Sequence, residues 1–159
     1  MSEKCKLTTS LNLRRNALTQ YMGYDFNSTC RFNGKTLAAS ADGIFELDSG
    51  DTFDGTNISG YFELVKTNFG YPASKRIRKI YVGGYCSGPV AMECTPDRSD
   101  AHSYTISPAL ANAQYKTRIN AMRTQHGVYW TFKFYNTLGN DFSIDDVEVV
   151  LNMLPRGRE

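Results

Sequence analysis

The chain is short of charge of one sign. Eighteen Lys and Arg stand against sixteen Asp and Glu, a formal net charge of +2. A domain that grips nucleic acid gathers its Lys and Arg on one face. The one dense basic run here, SKRIRK at 74–79, interleaves with isoleucine as an exposed strand face does. No nucleic-acid partner is expected. Long apolar runs are also missing: nothing approaches the roughly 18 apolar residues of a spanning helix. The opening MSEKCKLTTSLNL carries charge but no apolar h-region. No membrane association is expected, and the chain is expected to fold in a cytoplasm.

Cysteine is sparse and badly spaced for chemistry. Cys5, Cys30, Cys86 and Cys94 form no CxxC pair, and their spacings suit neither zinc nor a redox motif. Free thiols are expected. Cys86 and Cys94 are expected near each other on a hairpin, but not opposite one another. There are two histidines, His102 and His126, neither with an evident partner. No nucleophile elbow, phosphate loop or HExxH occurs. YVGGY at 81–85 is too sparse for a phosphate loop and reads as a bulge or a strand end. Asp145–Asp146 does not read as a carboxylate dyad, because neighbours on a strand point to opposite faces. The chain is therefore expected not to be an enzyme. It offers no catalytic, cofactor-binding or metal residues to nominate.

Helical periodicity is nearly absent. The only helix-friendly stretch, 108–122, does not hold a 3.6-residue period. What is present is strand pattern, with thirteen glycines and 13% aromatics. After a flexible start at 1–8, residues 9–50 read as a β-meander of about four or five short strands, close to one propeller blade. Asn33–Gly34 and Asp42–Gly43 supply its tight turns. A unit this small needs something to pack on.

Residues 56–154 carry longer alternations. Ile58, Phe62 and Leu64 share one face, as do Val90, Met92 and Cys94, and Val147, Val149 and Leu151. VYWTFKFYN gives the clearest pattern, with Trp130, Phe132 and Phe134 inward and Tyr129, Thr131, Lys133 and Tyr135 outward. The expected fold is all-β: a propeller-blade-like meander followed by an antiparallel β-sandwich of about seven strands. A polar tail at 155–159 closes the chain.

ELDSGDTFDG, at 46–55, joins the two parts. Asp48, Asp51 and Asp54 are oxygen donors for a hard cation such as Ca²⁺. The loop lacks the regular ligand spacing and distal Glu of an EF-hand. The same residues also serve as ordinary turn formers, and the expected role is a connector without metal. Tyr81, Tyr85, Tyr129 and Tyr135 fall on outer faces. They suit a subunit interface or a sugar platform, and the interface is the more economical of the two.

The order of these segments resembles a pattern in structural proteins of tailed-bacteriophage virions. NALTQYMGYDFNSTCRFNGKTLAASADGIFELDSGDTFDG leads. TNFGYPASKRIRKIYVGGYCSGPVAMEC and YWTFKFYNTLGNDFSIDDVEVV follow, so that about residues 12 to 154 are covered. The resemblance implies a non-enzymatic component of the tail, baseplate or neck, localised in the virion and assembled in a bacterial cytoplasm. It implies other virion proteins as partners, and a homo-oligomer. It brings no catalytic residues. The pattern's GRYW is GVYW here, with Val128 in place of Arg, so no role of that arginine transfers. The alternative expectation is a carbohydrate-binding β-sandwich that touches the host surface.

Overall fold

The structure is a computed structural model. It describes residues 7–14, 16–22, 25–47, 49–50, 52–53 and 55–154. Every regular element among them is a strand, and all strand pairs are antiparallel. Contacts divide the chain into Met1–Gly50 and Asp51–Glu159, and the division falls inside ELDSGDTFDG. Asp48, Asp51 and Asp54 lie outside the described residues, as do Cys5 and the tail at 155–159.

The first unit holds two separate sheets, not the single meander expected. β1 (Leu7–Asn12) and β2 (Ala17–Met22) form a hairpin that sets Leu11 opposite Leu18. Its first strand begins at Leu7, inside the segment expected to be flexible. β3 (Ser28–Phe32), β4 (Lys35–Ala39) and β5 (Ile44–Leu47) form the second sheet. Asn33 and Gly34, at φ 48° and 80°, make the β3–β4 turn that Asn-Gly favours. Ala38 is this unit's one buried apolar side chain among the described residues, while Leu11, Leu13, Leu18, Phe32 and Ile44 are exposed.

The second unit opens with the small hairpin β6 (Thr52–Phe53) and β7 (Thr56–Asn57). Seven strands then build a sandwich. They are β8 (Tyr61–Glu63), β9 (Lys75–Cys86), β10 (Val90–Pro96), β11 (His102–Ile106), β12 (Ala113–Asn120), β13 (Trp130–Asn136) and β14 (Phe142–Met153). One sheet runs β11-β10-β13-β8 and the other β12-β9-β14. The 108–122 stretch, whose apolar positions hold no helical period, supplies strand β12.

The core lies between these sheets. From one come Val90, Met92, Cys94, Ile106, Trp130, Phe132 and Phe134, and from the other Ile77, Ile80, Val82, Cys86 and Ile119. Each large side chain fully buried here contributes about 1.5–3 kcal/mol over leaving it exposed. Phe62 of β8 stacks on Phe134 at 5.2 Å and on Phe142 at 5.9 Å, which joins the sheets at one end. Phe62 itself stays exposed, as do Ile58 and Leu64, which were expected on the same face. Cys86 and Cys94 are both buried free thiols, on facing sheets and not on one hairpin.

Two bulges shape the β12-β9-β14 sheet. Ile77 and Ile80 are three residues apart, yet both are fully buried. The register slips there: Val150 pairs with Lys79, Leu151 with Ile77, and Arg78 is left over. A second slip lies opposite Gly83 and Gly84 and leaves Asp145 as the extra residue. A Cβ on Gly84 would lie 2.1 Å from the Ser143 carbonyl oxygen, so only glycine fits this crossing. YVGGY is therefore strand interior at a bulge.

Candidate functional site

SKRIRK keeps Arg76, Arg78 and Lys79 at least partly exposed between buried isoleucines, as expected, but Lys75 departs from that pattern. β9 is the middle strand of its sheet, and Lys75 is fully buried. Its Nζ donates to the backbone carbonyls of Asn68 at 2.9 Å, Tyr71 at 2.8 Å and Val128 at 2.8 Å. Three N–H donors meet three acceptors, so a buried charge is tolerated. Burial lowers the ammonium's pKa from its ordinary value, and the nearby Asp97 carboxylate opposes this. The Lys75 backbone exchanges two hydrogen bonds with Gly127, at 2.9 and 3.0 Å. Asp97 Oδ1 accepts the N–H groups of Val128 at 2.8 Å and Tyr129 at 3.2 Å. A Cβ on Gly127 would sit 2.5 Å from that same oxygen. GVYW is thus a packed corner of the sandwich, pinned by Lys75 and Asp97.

The histidines are similarly tied into loop structure. His126 N–H donates to the Ser99 hydroxyl at 3.1 Å, and its Nδ1 lies 3.1 Å from the Thr124 carbonyl. The His102 ring packs edge-on against Tyr104 at 4.8 Å. Beside them Gln125 is buried. Its amide donates to the Cys94 and Asp100 carbonyls and accepts from the Tyr104 hydroxyl. Among the described residues, no group of three or more His, Cys, Asp or Glu is arranged to hold a metal ion.

The outward tyrosines do not form one platform. Tyr81 and Tyr85 lie on β9, whereas Tyr135 belongs to β13 of the other sheet and Tyr129 directly precedes that strand. The four are split between the two outer faces of the sandwich.

On the β12-β9-β14 face three cross-strand rows stand side by side. Gln114, Tyr85 and Ser143 make one, Lys116, Gly83 and Asp146 the next, and Arg118, Tyr81 and Glu148 the third. Strands either side of a central strand are about 10 Å apart. Lys116 and Asp146 nevertheless meet at 3.1 Å, because Gly83 between them has no side chain to obstruct the reach. Glu148 approaches the same ammonium to 3.6 Å. The hydrogen bond to Asp146 is the main cause that holds the Lys116 ammonium above its ordinary pKa. The bulge at Asp145 turns both Asp145 and Asp146 outward, where the plain alternation of a strand would set them on opposite faces. Asp145 accepts from Gln114 at 2.9 Å and Asp146 from Lys116. The pair is a solvated row braced by basic and amide partners.

On the opposite face, Tyr61 and Tyr135 are cross-strand neighbours, and Lys133 sits 4.5 Å over the Tyr61 ring. Lys66 lies 5.4 Å over the ring of Tyr129. Such contacts hold exposed rings in place.

No family model matches the chain, and a search of curated proteins finds no match to it. No helix among the described residues is long and apolar enough to cross a membrane.

Proposed function

We propose that this chain is a non-enzymatic structural subunit of a tailed-bacteriophage virion, placed in the tail, baseplate or neck. It acts through contacts with its own copies and with other virion proteins, after assembly in the bacterial cytoplasm. One observation supports this most. Among its described residues the Met1–Gly50 unit buries a single apolar side chain, Ala38, and exposes Leu11, Leu13, Leu18, Phe32 and Ile44. Apolar side chains spread over small sheets are what a docking module presents before it meets its partner. The segment order resembling virion proteins agrees with that use. Repetition by symmetry is the usual plan for such assemblies, and rings form where head-to-tail contacts close.

Light scattering on the purified chain, with and without EDTA, tests this reading. A defined multimer indifferent to chelation is expected. A monomer under both conditions overturns self-assembly as the mode of action.

A second reading, a carbohydrate-binding module, draws support from Tyr81 and Tyr85. They share a polar outer face with Gln114, Arg118 and Ser143. It requires a monomer that binds glycans and loses binding in Tyr81→Ala and Tyr85→Ala. If Tyr129→Ala and Tyr135→Ala abolish binding instead, the opposite face carries it.

A further inference from the structure

The sandwich has four edge strands: β8, β11, β12 and β14. Natural sheets guard their edges with shortness, charge or bulges, because a bare edge pairs with other chains. β8 spans three residues and β11 five. β12 carries Lys116 and Arg118 along its outer row. β14 is twelve residues long, and its extra residue Asp145 and all of its charge, at Asp145, Asp146 and Glu148, precede Val149, while the other slip, from the spare Arg78 of β9, falls at Val150 and Leu151. From Val149 to Met153 the strand reads VVLNM and has no charge at all. Among the described residues β14 pairs with β9 alone, and each of its residues keeps some exposure.

We propose that β14 is a self-association edge. Two copies of the chain pair their β14 strands antiparallel about a two-fold axis at Val149, and the three-stranded sheets fuse into one of six strands. The inference rests on the reading of the chain as an assembly subunit. The occupant is a second copy because the strand's own charge pattern suits it. With Val149 opposite its own copy, Val147 faces Leu151 and Asp146 faces Asn152. Glu148 faces Val150. No two carboxylates are opposed, and core-facing residues stay on the core side of both sheets. Centring on Glu148 would set two carboxylates against each other, and centring on Val147 would oppose Asp146 and Glu148. Centring on Val150 opposes no carboxylates either, but it shortens the ladder to 147–153, against 145–153 about Val149.

This register makes a sign-specific test possible. Val150→Glu places a second carboxylate opposite Glu148 twice per dimer, whereas Val150→Lys places an ammonium there. Sedimentation equilibrium of the full chain measures the dissociation constant of the parent and both variants. Val150→Glu is expected to weaken association about tenfold or more, from two like-charge pairs. Val150→Lys is expected to keep or tighten it, and to lose the gain at high salt. A multimer that both variants leave alone, or that both weaken equally, overturns the β14 edge while leaving assembly through another surface standing. Absence of any multimer overturns the edge and the assembly mode together. Hydrogen exchange on the parent chain gives a readout free of folding defects. The β14 amides should gain protection as concentration rises, and concentration-independent exchange also overturns the proposal.

Discussion

Replacing Lys75 with Met removes the charge and keeps the length of the side chain. Three carbonyls, those of Asn68, Tyr71 and Val128, then lose the ammonium as a donor, although Asn68 keeps the Tyr71 N–H. Hydrogen bonds to a charged group contribute about 1.5–3 kcal/mol each, so the gross loss is roughly 5–9 kcal/mol. Against it stands the relief of no longer burying an ammonium, several kcal/mol. The apolar Met side chain also fills the site. The net expected for Lys75→Met is a destabilisation of about 3 kcal/mol, which in a unit of this size lowers Tm by roughly 10–20 °C. Trp130 is the only tryptophan in the chain and is fully buried in the same unit, so urea titration followed by its fluorescence reads the change directly. The parent should also show a pH signature. Its folded pKa is lowered by burial, so between that value and the ordinary 10.5 the unfolded chain binds the extra proton. Stability from this group therefore rises with pH across that window and is level below it. The gap between parent and Lys75→Met should widen as pH climbs through the window. A variant within about 1 kcal/mol of the parent at neutral pH would refute the idea that the ammonium pins this corner.

Two further outcomes test the packing. Gly84→Ala should destabilise the sandwich by about 2–4 kcal/mol, because its Cβ meets the Ser143 carbonyl at 2.1 Å. Gly83→Ala meets only ordinary contacts, the nearest at 3.5 Å, and should stay within about 1 kcal/mol in the same urea assay. In a Cys5→Ser background, Cys30 should react quickly with a thiol reagent, being exposed. Cys94, whose pKa burial pushes up to about 12, and Cys86, which burial also raises, should react only after unfolding. Rapid labelling of either in the folded chain would contradict the buried core.

The sandwich was legible wherever alternation ran unbroken. Trp130, Phe132 and Phe134 point inward as their spacing says, and so do Val90, Met92 and Cys94. Legibility failed where alternation breaks. Ile77 and Ile80 cannot share a face on a regular strand, and that conflict was a readable sign of the bulge at Arg78. Asp145–Asp146 carried a similar sign beside Gly83–Gly84, since two adjacent polar residues between Ile144 and Val147 break the period. Lys75 gave no local sign. Its burial follows from the central position of β9 and from carbonyls contributed by residues up to Val128, which a local pattern does not contain. The partition of the outward tyrosines was hidden for a similar reason: alternation tells inner from outer but not which sheet a strand joins. The same limit concealed that Cys86 and Cys94 lie on facing sheets. Turn chemistry foretold the β3–β4 hairpin at Asn33–Gly34, but nothing local said that the first hairpin and the next three strands would form separate sheets.

The strand order has a bearing on how the chain is made. Within the sandwich, only β10 and β11 are neighbours both along the chain and in a sheet. β9, the middle of its sheet, is synthesised before either of its partners and pairs with β14 up to Met153. Its apolar residues therefore wait until β14, Phe142–Met153, has been made, and the sandwich closes only after that. The hairpins of the first unit need only short loops and are ready early. Pairing between distant strands is slow, so β9 and the unpaired β14 stand open together for a time, each offering a backbone edge. A growing chain in a crowded polysome would be safest from its neighbours if that interval were covered by a chaperone.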